Sequence, residues 1–357
     1  MSLNPPVNPV YLKACGATTS LGLTTEETAA AVRAGVSSYA ESTIFNKHSN
    51  PMIMSLVPED LIPPLNEKLT EILPRLTSKQ ARIVQLAHLA LDDLAIKHPK
   101  LNGIALFIAC SETIPDLNPS CHQNLIELIS QQSGIEFNNN NNQLIAGGRT
   151  GAISALYNAM SYMESAHSEL TIVGGVDTYL DLRLLRTLDD DDRILADGIM
   201  DAFVPGEGAG FLLLSSKPVD FQGSGKQIKI YPPGISIETG HRYSEQPYKG
   251  DGLAQAFKLA LTSSNLGPIK TLYSSLNGEN FSAKELGVAT TRNSNKIDND
   301  CKIMHSADCF GDIGAAYFPV STGLIAMGLL NHYLDSPVIN YASSETEYRG
   351  ATCIDIT

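Results

Sequence analysis

A few side chains in this sequence have types and spacings that suit chemistry. Cys309 follows His305 by four residues, and a neighbouring imidazole can activate a thiol as a nucleophile. The alternative is a buried, unreactive cysteine beside a hydrogen-bonded histidine. Glu279 and Asp312 are candidates for a general acid and base, unless solvent or backbone amides satisfy both carboxylates. Arg149 stands at a predicted helix start, where a guanidinium can bind a carboxylate or phosphate, pair with a local acid or cross a dimer interface.

The cysteines show no pattern typical of disulfides or metal sites. The six residues, at positions 15, 110, 121, 301, 309 and 353, are scattered and include no C-x-x-C pair. We therefore expect reduced, mostly buried thiols. Cys110, at the end of a predicted strand, is a second candidate for a thiol that faces a pocket. Four consecutive aspartates at 189–192 are predicted to repel one another on a surface loop, with a cation site as the alternative.

Charge and hydropathy exclude several classes of protein. The 357 residues carry a net charge of −13, which argues against nucleic-acid binding because that needs a basic surface. No stretch approaches the roughly 18 apolar residues of a membrane span. The first residues lack the basic start and apolar core of a secretory signal. We expect a cytoplasmic protein without a membrane span, with no cofactor and no metal.

The elements that must position these side chains alternate between strands and helices, which predicts an α/β protein with parallel or mixed sheets. Strands are predicted at 10–15, 104–109, 170–173, 210–214, 228–231, 271–275, 338–341 and 353–356. Helices are predicted at 25–34, 78–96, 121–130, 151–165, 252–263 and 321–333. Thr24 and Glu27 have the spacing of a capping box at the first helix. The turn-rich segment 215–225 is the best candidate for a boundary between two halves.

The most specific motif is a Gly-Glu-Gly-Ala-Gly turn at 206–210 that runs directly into an apolar strand. Together with glycine motifs near 15–22, 172–177, 247–253 and 311–319, in that order, it resembles the β-ketoacyl synthases of the thiolase superfamily. The resemblance spans about 340 residues. It implies a thiolase-like five-layer αβαβα sandwich of two similar halves, residues 1–215 and 225–357, and normally a dimer.

The same resemblance implies a catalytic triad, and its positions are occupied by other residues. Gly148 falls where the family has its nucleophilic cysteine, and glycine cannot carry an acyl group. Asn277 and Asp312 fall where the family has His–His or His–Asn. The Gly-Phe-Gly-Gly loop of the family is replaced by residues 343–350. Ordinary decarboxylative condensation is therefore not expected.

If the fold holds, the resemblance implies that several polar residues converge on the former active site. The candidate catalytic residues are Asn277, Asp312 and Cys309, and the candidate substrate-binding residues are Gly148, Arg149, Glu279 and His305. Asp308 is expected nearby.

Two functions from different classes follow from this arrangement. The first is a catalytically degenerate synthase-like protein that binds an acyl ligand, a carrier protein or a partner ketosynthase, as a homodimer or heterodimer. The second is an acyltransferase or hydrolase that uses non-standard residues, or an unorthodox 3-oxoacyl synthase. Acyl-CoA and acyl carrier protein are the candidate partners.

Overall fold

The computed structural model describes residues 6–71, 75–115, 117 and 121–357. The strands described in the first part of the chain are β1 (Val10–Thr19), β2 (Ala40–Phe45), β3 (Pro51–Met54), β4 (Ala105–Cys110), β5 (Gln143–Ala146), β6 (Leu170–Thr178) and β7 (Glu207–Ser215). Those that follow are β8 (Ile228–Ile230), β9 (Gly234–Ile237), β10 (Ile269–Ser274), β11 (Ile297–His305), β12 (Val338–Ser343) and β13 (Tyr348–Ile356).

The helices described in the same residues are α1 (Thr25–Arg33), α2 (Glu67–Thr70), α3 (Ser78–Lys97), α4 (Leu125–Ser133), α5 (Gly148–Ala166), α6 (Leu182–Asp190), α7 (Asp251–Ser264), α8 (Asn280–Arg292), α9 (Ala307–Phe310) and α10 (Tyr317–Leu330). The predicted capping box is present, because Thr24 accepts from the Glu27 amide and the Glu27 side chain accepts from the Thr24 amide. None of the described helices combines the length and apolar character needed to cross a membrane.

Strands β2 and β3 form a separate antiparallel pair. The other described strands form one mixed sheet in the order β11-β10-β12-β13-β8-β1-β7-β6-β4-β5, with β9 added beside β13. At one end β5, β4 and β6 run parallel and β7 pairs antiparallel to β6. At the other end β11, β10 and β12 run parallel and β13 pairs antiparallel to β12. The two ends therefore repeat one strand pattern. The domain limits at residues 1–215 and 225–357 stay a prediction.

Helices pack on both ends of this sheet, and two further helices lie between the two ends. The amphipathic α3 packs on β1 and β7, and α7 packs on β9 and β13. Between them, α5 contacts β4 and β6 on one side and β12 and β13 on the other, while α10 contacts β7, β1 and β12. Helix α10 is buried and apolar all round, as a helix enclosed between two layers must be. The predicted thiolase-like α/β fold is confirmed.

The glycine turn ahead of β7 brings a distant loop into contact with it. The amide of Gly206 donates to the carbonyl of Asp312 at 2.8 Å, and the amide of Asp312 donates to the carbonyl of Val204 at 2.8 Å. A Cβ on Gly206 would lie 2.6 Å from the carbonyl oxygen of Phe310, so only glycine allows this approach. The motif that carried the resemblance thus fixes the position of Asp312.

Two expectations from the sequence are wrong. Cys110 and Cys121 form a disulfide, whereas reduced thiols were expected throughout; Cys15, Cys301, Cys309 and Cys353 are free. The end of β4 brings Cys110 beside the segment before α4, which no pattern in the cysteine spacing indicates. The run 189–192 does not lie wholly on a loop, because its first two residues belong to α6 and the buried Asp189 carboxylate accepts from the Lys47 amide at 2.7 Å.

Candidate functional site

The site begins at a sharp passage from strand to helix. Strand β5 ends at Ala146, only Gly147 intervenes, and α5 begins at Gly148 with a φ of +56°. Residues other than glycine rarely adopt that backbone conformation. A Cβ on Gly148 would also lie 2.5 Å from Oε1 and 2.8 Å from Cδ of Glu112. The carboxylate of Glu112 therefore occupies the space where a side chain at position 148 would project.

Glu112 is held in that place by the connection between β12 and β13. Its Oε1 accepts from the Glu345 amide at 2.9 Å, and its Oε2 accepts from the Thr346 amide at 3.0 Å and from the Thr346 hydroxyl at 2.9 Å. Burial raises the pKa of Glu112 to about 7, and the nearby Glu345 carboxylate adds to the rise. Glu112 is therefore a half-buried residue whose carboxyl group changes protonation near neutral pH.

The same connection also covers the start of α5. The Ser344 hydroxyl accepts from the Thr150 amide at 3.0 Å and donates to the Gly147 carbonyl at 2.7 Å. A hydroxyl that accepts from an early helical amide satisfies one of the donors left free at a helix N-terminus. The connection between β12 and β13 thus covers the first residues of α5.

Arg149, the second residue of α5, lies at the centre of the site. Its Nε donates to Asp312 Oδ1 at 3.0 Å and Oδ2 at 2.8 Å, and its Nη2 makes a further short bond to Asp312. Its Nη1 donates to Glu345 Oε1 at 2.9 Å, and its Nη2 donates to the Tyr179 hydroxyl at 3.2 Å. Paired carboxylates on a planar guanidinium give strong, directional hydrogen bonds. Arg149 therefore pairs with acids of its own chain, one of the alternatives open from the sequence.

Two further arginines extend this arrangement. Arg193 donates from Nε to Glu279 Oε1 at 2.7 Å and from Nη2 to Glu279 Oε2 at 2.9 Å, and also reaches Glu345 Oε1 at 3.0 Å. Arg242 lies 2.9 Å from Glu279 Oε1 and 3.2 Å from Glu345 Oε2. Three guanidinium groups and three carboxylates thus form one connected cluster. We call it the ion network; it consists of Arg149, Arg193, Arg242, Glu279, Asp312 and Glu345.

Asn277 joins the two ends of the ion network. Its Nδ2 donates to Glu279 Oε2 at 3.1 Å and to Asp312 Oδ2 at 3.0 Å. Both carboxylates therefore accept from an arginine and from the amide of Asn277. Neither carboxylate is free of partners in this arrangement.

Glu345 lies within ion-pair distance of all three arginines of the ion network. Burial alone would raise its pKa, but Arg193, Arg149 and Arg242 outweigh burial and hold the pKa well below its usual range. The ion network contains as many carboxyl groups as arginines, three of each. Charge balance of this kind is what allows so many ionised groups to be buried together.

The space that remains beside Gly148 is small. A cavity of about 30 Å³ lies between Glu112, Arg149, Tyr179 and Asp177. That volume suits one or two water molecules, whereas pockets that bury a drug-sized ligand measure roughly 300–1,000 Å³. An acyl chain does not fit between these residues as they stand.

Other predicted site residues lie apart from the ion network. Cys309 is buried in a hydrophobic cluster that includes Tyr273, and no hydrogen bond joins it to His305 in the described residues. Burial, followed by the charge of Asp308, raises the pKa of Cys309, which disfavours the thiolate. His305 ends β11 with its Nδ1 buried and without a partner. Asp308 is exposed, and Cys110 is engaged in the disulfide.

The structure thus brings together Gly148, Arg149, Asn277, Glu279 and Asp312, and leaves out Cys309, His305 and Asp308. It also adds Glu112, Arg193, Arg242 and Glu345, which sequence reasoning missed. Weak signals existed for two of these, since Glu345 lies in the replaced loop segment and Glu112 directly follows the Cys110–Ser111 strand end. Across residues 6–71, 75–115, 117 and 121–357, no group of His, Cys, Asp and Glu could hold a metal ion.

Solved structures that this chain resembles include ketosynthases in complex with other proteins. The chain superposes on a ketosynthase in complex with its chain length factor from Xenorhabdus doucetiae with a TM-score of 0.80 at 15% identity, covering 98% of each chain. It also matches the ishigamide ketosynthase/chain length factor, with a TM-score of 0.71 and 15% identity over 97% of this chain and 98% of the other. A third match is a type II acyl-carrier protein in complex with its ketosynthase, with a TM-score of 0.71 and 12% identity over 98% and 99%.

No protein-family model matches the sequence, and no curated protein matches it. At such low identities the structural likeness establishes the fold alone. The chain therefore has the thiolase-like fold of ketosynthases and chain length factors, as the motifs predicted.

Proposed function

We propose that this protein is a non-catalytic ketosynthase-like subunit that acts by pairing with a catalytically competent ketosynthase. The observation that carries the proposal is the placement of Glu112 at the position of a side chain on residue 148. The resemblance puts the nucleophilic cysteine of the family at that position. Here the position has neither a nucleophile nor room for one.

The ion network supports the same conclusion. A condensing site has to admit a thioester and stabilise the oxyanion that forms from its carbonyl. In this protein the groups nearest Gly148 are bonded to one another, and the remaining cavity measures about 30 Å³. Entry of an acyl group would break buried ion pairs, which is costly. The proposal therefore favours partner binding over acyl binding at this site.

The similar solved structures support a partner role, because they are complexes. Two of the similar structures contain a ketosynthase together with a chain length factor, and another contains a ketosynthase with an acyl-carrier protein. By analogy, the partner of this chain is a ketosynthase in a heterodimer, with a homodimer as the alternative. A carrier protein is a second candidate partner, through the assembled complex.

An acyltransferase, a hydrolase or an unorthodox 3-oxoacyl synthase receives less support. Asp312 and Glu279 would have to act as acid or base, and each is bonded to an arginine and to Asn277. Cys309 would have to act as a nucleophile, and it lies in the hydrophobic core without an imidazole partner in the described residues. No observation favours these reactions over partner binding.

The edge of β5 is the surface best suited to a partner. At the two ends of the strand order, β5 and β11 each have an unpaired edge, and an unpaired strand edge is a template for another chain. Strand β11 carries Asp298, Asp300 and Lys302, the kind of charges that protect an edge. Strand β5, with the sequence Gln-Leu-Ile-Ala, carries no charge. We infer that the partner adds to the sheet beside β5.

Co-expression tests this function. The chain would be co-expressed with each ketosynthase-fold protein of its own genome that keeps a cysteine at the position of Gly148. We expect an equimolar heterodimer with one of them, and condensation by that partner that depends on this chain. Ala146→Asp, at an exposed position of β5, should abolish the heterodimer, while the matched Ile303→Asp on β11 should leave it intact.

Two results would overturn the proposal. One is condensation by every such ketosynthase that proceeds equally well without this chain. The other is turnover of an acyl thioester by the purified chain alone, lost on substitution of Asp312 but retained in a correctly folded Ala146→Asp variant.

A further inference from the structure

A second cavity lies away from the ion network and shares no lining residue with it. It has a volume of about 220 Å³ and is enclosed by α1, α10, the ends of β10 and β11, and the turn after α10. Its wall is mainly apolar, formed by Val32, Leu324, Leu334 and Met304 among others. Cavities near 150 Å³ with apolar walls accept a benzene ring, and drug-sized ligands need about 300 Å³ or more. The size therefore suits one small apolar group.

A tyrosine hydroxyl without a hydrogen-bond partner lines this cavity. Tyr273 on β10 is 2% exposed, and its hydroxyl has no hydrogen-bond partner among the described residues. Burial raises its pKa, and the nearby Tyr333 hydroxyl and Cys309 thiol add to the rise, so the hydroxyl keeps its proton. The Tyr273 hydroxyl is thus available to donate to a ligand oxygen.

An unpaired positive charge also lines the cavity. Arg33, at the end of α1, is exposed, and its guanidinium lies over the ring of Tyr333 with Cζ 4.8 Å from the ring centroid. In the part of the chain that the structure describes, no carboxylate forms an ion pair with it. A guanidinium held on an aromatic ring beside an apolar cavity is well placed to bind a carboxylate.

We propose that this cavity binds a small monocarboxylate with an apolar body. The carboxylate pairs with Arg33, the body fills the space between Val32, Leu324 and Leu334, and the Tyr273 hydroxyl donates a hydrogen bond to the ligand. The charge selects an acid over an alcohol or an amine, and the volume selects a short chain over a long one. This site goes beyond the proposed partner function and does not depend on it.

Methionine-methyl NMR with hexanoate as the probe tests the proposal on the intact protein. Met304 lines the cavity, whereas Met200 is 95% exposed and does not line it. We expect the Met304 methyl resonance to shift saturably with hexanoate while that of Met200 stays in place. Arg33→Gln should weaken binding roughly tenfold or more, the factor expected for a lost charge-assisted hydrogen bond. The matched surface variant Arg183→Gln should bind as the wild type does.

Two further measurements make the test specific. Hexanol and hexylamine, which keep the chain but lack the carboxylate, should bind at least roughly tenfold more weakly than hexanoate. Tyr273→Phe removes only the hydroxyl and should also weaken hexanoate binding. The site is refuted if Met304 shows no saturable shift, if Arg33→Gln binds hexanoate with wild-type affinity, or if hexylamine binds as tightly as hexanoate. Arg33 is exposed, so its variant is expected to fold and to report on binding alone.

Discussion

At the scale of single residues, the Glu112 side chain and a side chain at position 148 cannot occupy the same space. The backbone at 148 has a positive φ and the space beside it is filled by the Glu112 carboxyl group. Any side chain at 148 therefore meets two obstacles, an unfavourable backbone conformation and a buried group held by three hydrogen bonds.

Gly148→Ala should accordingly destabilise the protein, by on the order of 2 kcal/mol. The matched change Gly287→Ala, in α8 where a new Cβ meets nothing within 4 Å, should be neutral or stabilise by up to about 1 kcal/mol. Chemical denaturation of both variants measures the difference. Adding Glu112→Gly should recover part of the loss at 148. Equal stability of Gly148→Ala and the wild type would show that Glu112 does not occupy this space.

The protonation of Glu112 predicts a pH dependence of stability. Its pKa rises on folding from 4.5 to about 7, so the folded state binds a proton that the unfolded state has released between these values. This contribution is fully present below pH 4.5 and is lost as the pH rises through 7. Unfolding of Glu112→Gln compared with wild type should show the variant gaining relative stability across this window, by on the order of 3 kcal/mol.

The control for this titration is Glu136→Gln, at an exposed position, which should leave the pH profile of stability unchanged. A Glu112→Gln variant whose stability runs parallel to that of the wild type from pH 4.5 to 8 would contradict the prediction.

The ion network predicts a large cost for removing one of its members. Arg193→Met would leave Glu279 and Glu345 buried with fewer partners, and an uncompensated buried charge costs about 3–5 kcal/mol. Arg186→Met removes an exposed arginine 3.9 Å from Asp190 and should cost less than about 1 kcal/mol. Equilibrium unfolding of the two variants provides the comparison, and similar losses in both would mean that the ion network is solvated.

At the scale of elements, the disulfide connects the end of β4 to the segment before α4. It closes a loop with a sequence separation of 11 residues, next to the Glu112 position. Thiol titration of the unfolded, unreduced protein should find four free thiols, and six after reduction. Cys121→Ser should lower the free energy of unfolding by about 2–3 kcal/mol, as expected for a short loop. Six free thiols without reductant would contradict the pairing.

The elements themselves were largely predictable. Periodicity and turn chemistry located β4, α3 and α7 to within a few residues, because β4 is a continuous apolar run and each of the two helices buries one apolar face. The ion network was not predictable, since its partners are far apart in the sequence. Arg149 and Asp312 are separated by 163 positions, and Arg193 and Glu345 by 152. A single sequence shows which residues are charged, but only the folded structure shows which of them are in contact.

At the scale of the whole molecule, the proposed partner role predicts a protein that does not become acylated. After incubation with a panel of acyl-CoAs and malonyl-CoA, intact mass analysis should find no adduct and thiol release should stay at background. The reason is that Cys309 is buried with a raised pKa and Gly148 has no side chain. Unfolded protein treated with iodoacetamide provides the positive control for thiol detection. An acyl adduct that maps to Cys309 would reverse the conclusion.

The ion network also bears on the history of the molecule. Its six charged groups stand on separate segments, and each group is balanced by the others. Under the proposed non-catalytic role, a change to a condensing site would require a nucleophile at 148, removal of Glu112 and a pair of imidazoles. Any one of the changes that remove a charged partner first leaves another charge buried and unpaired. A single substitution that removes a charged member of the ion network therefore passes through a less stable protein.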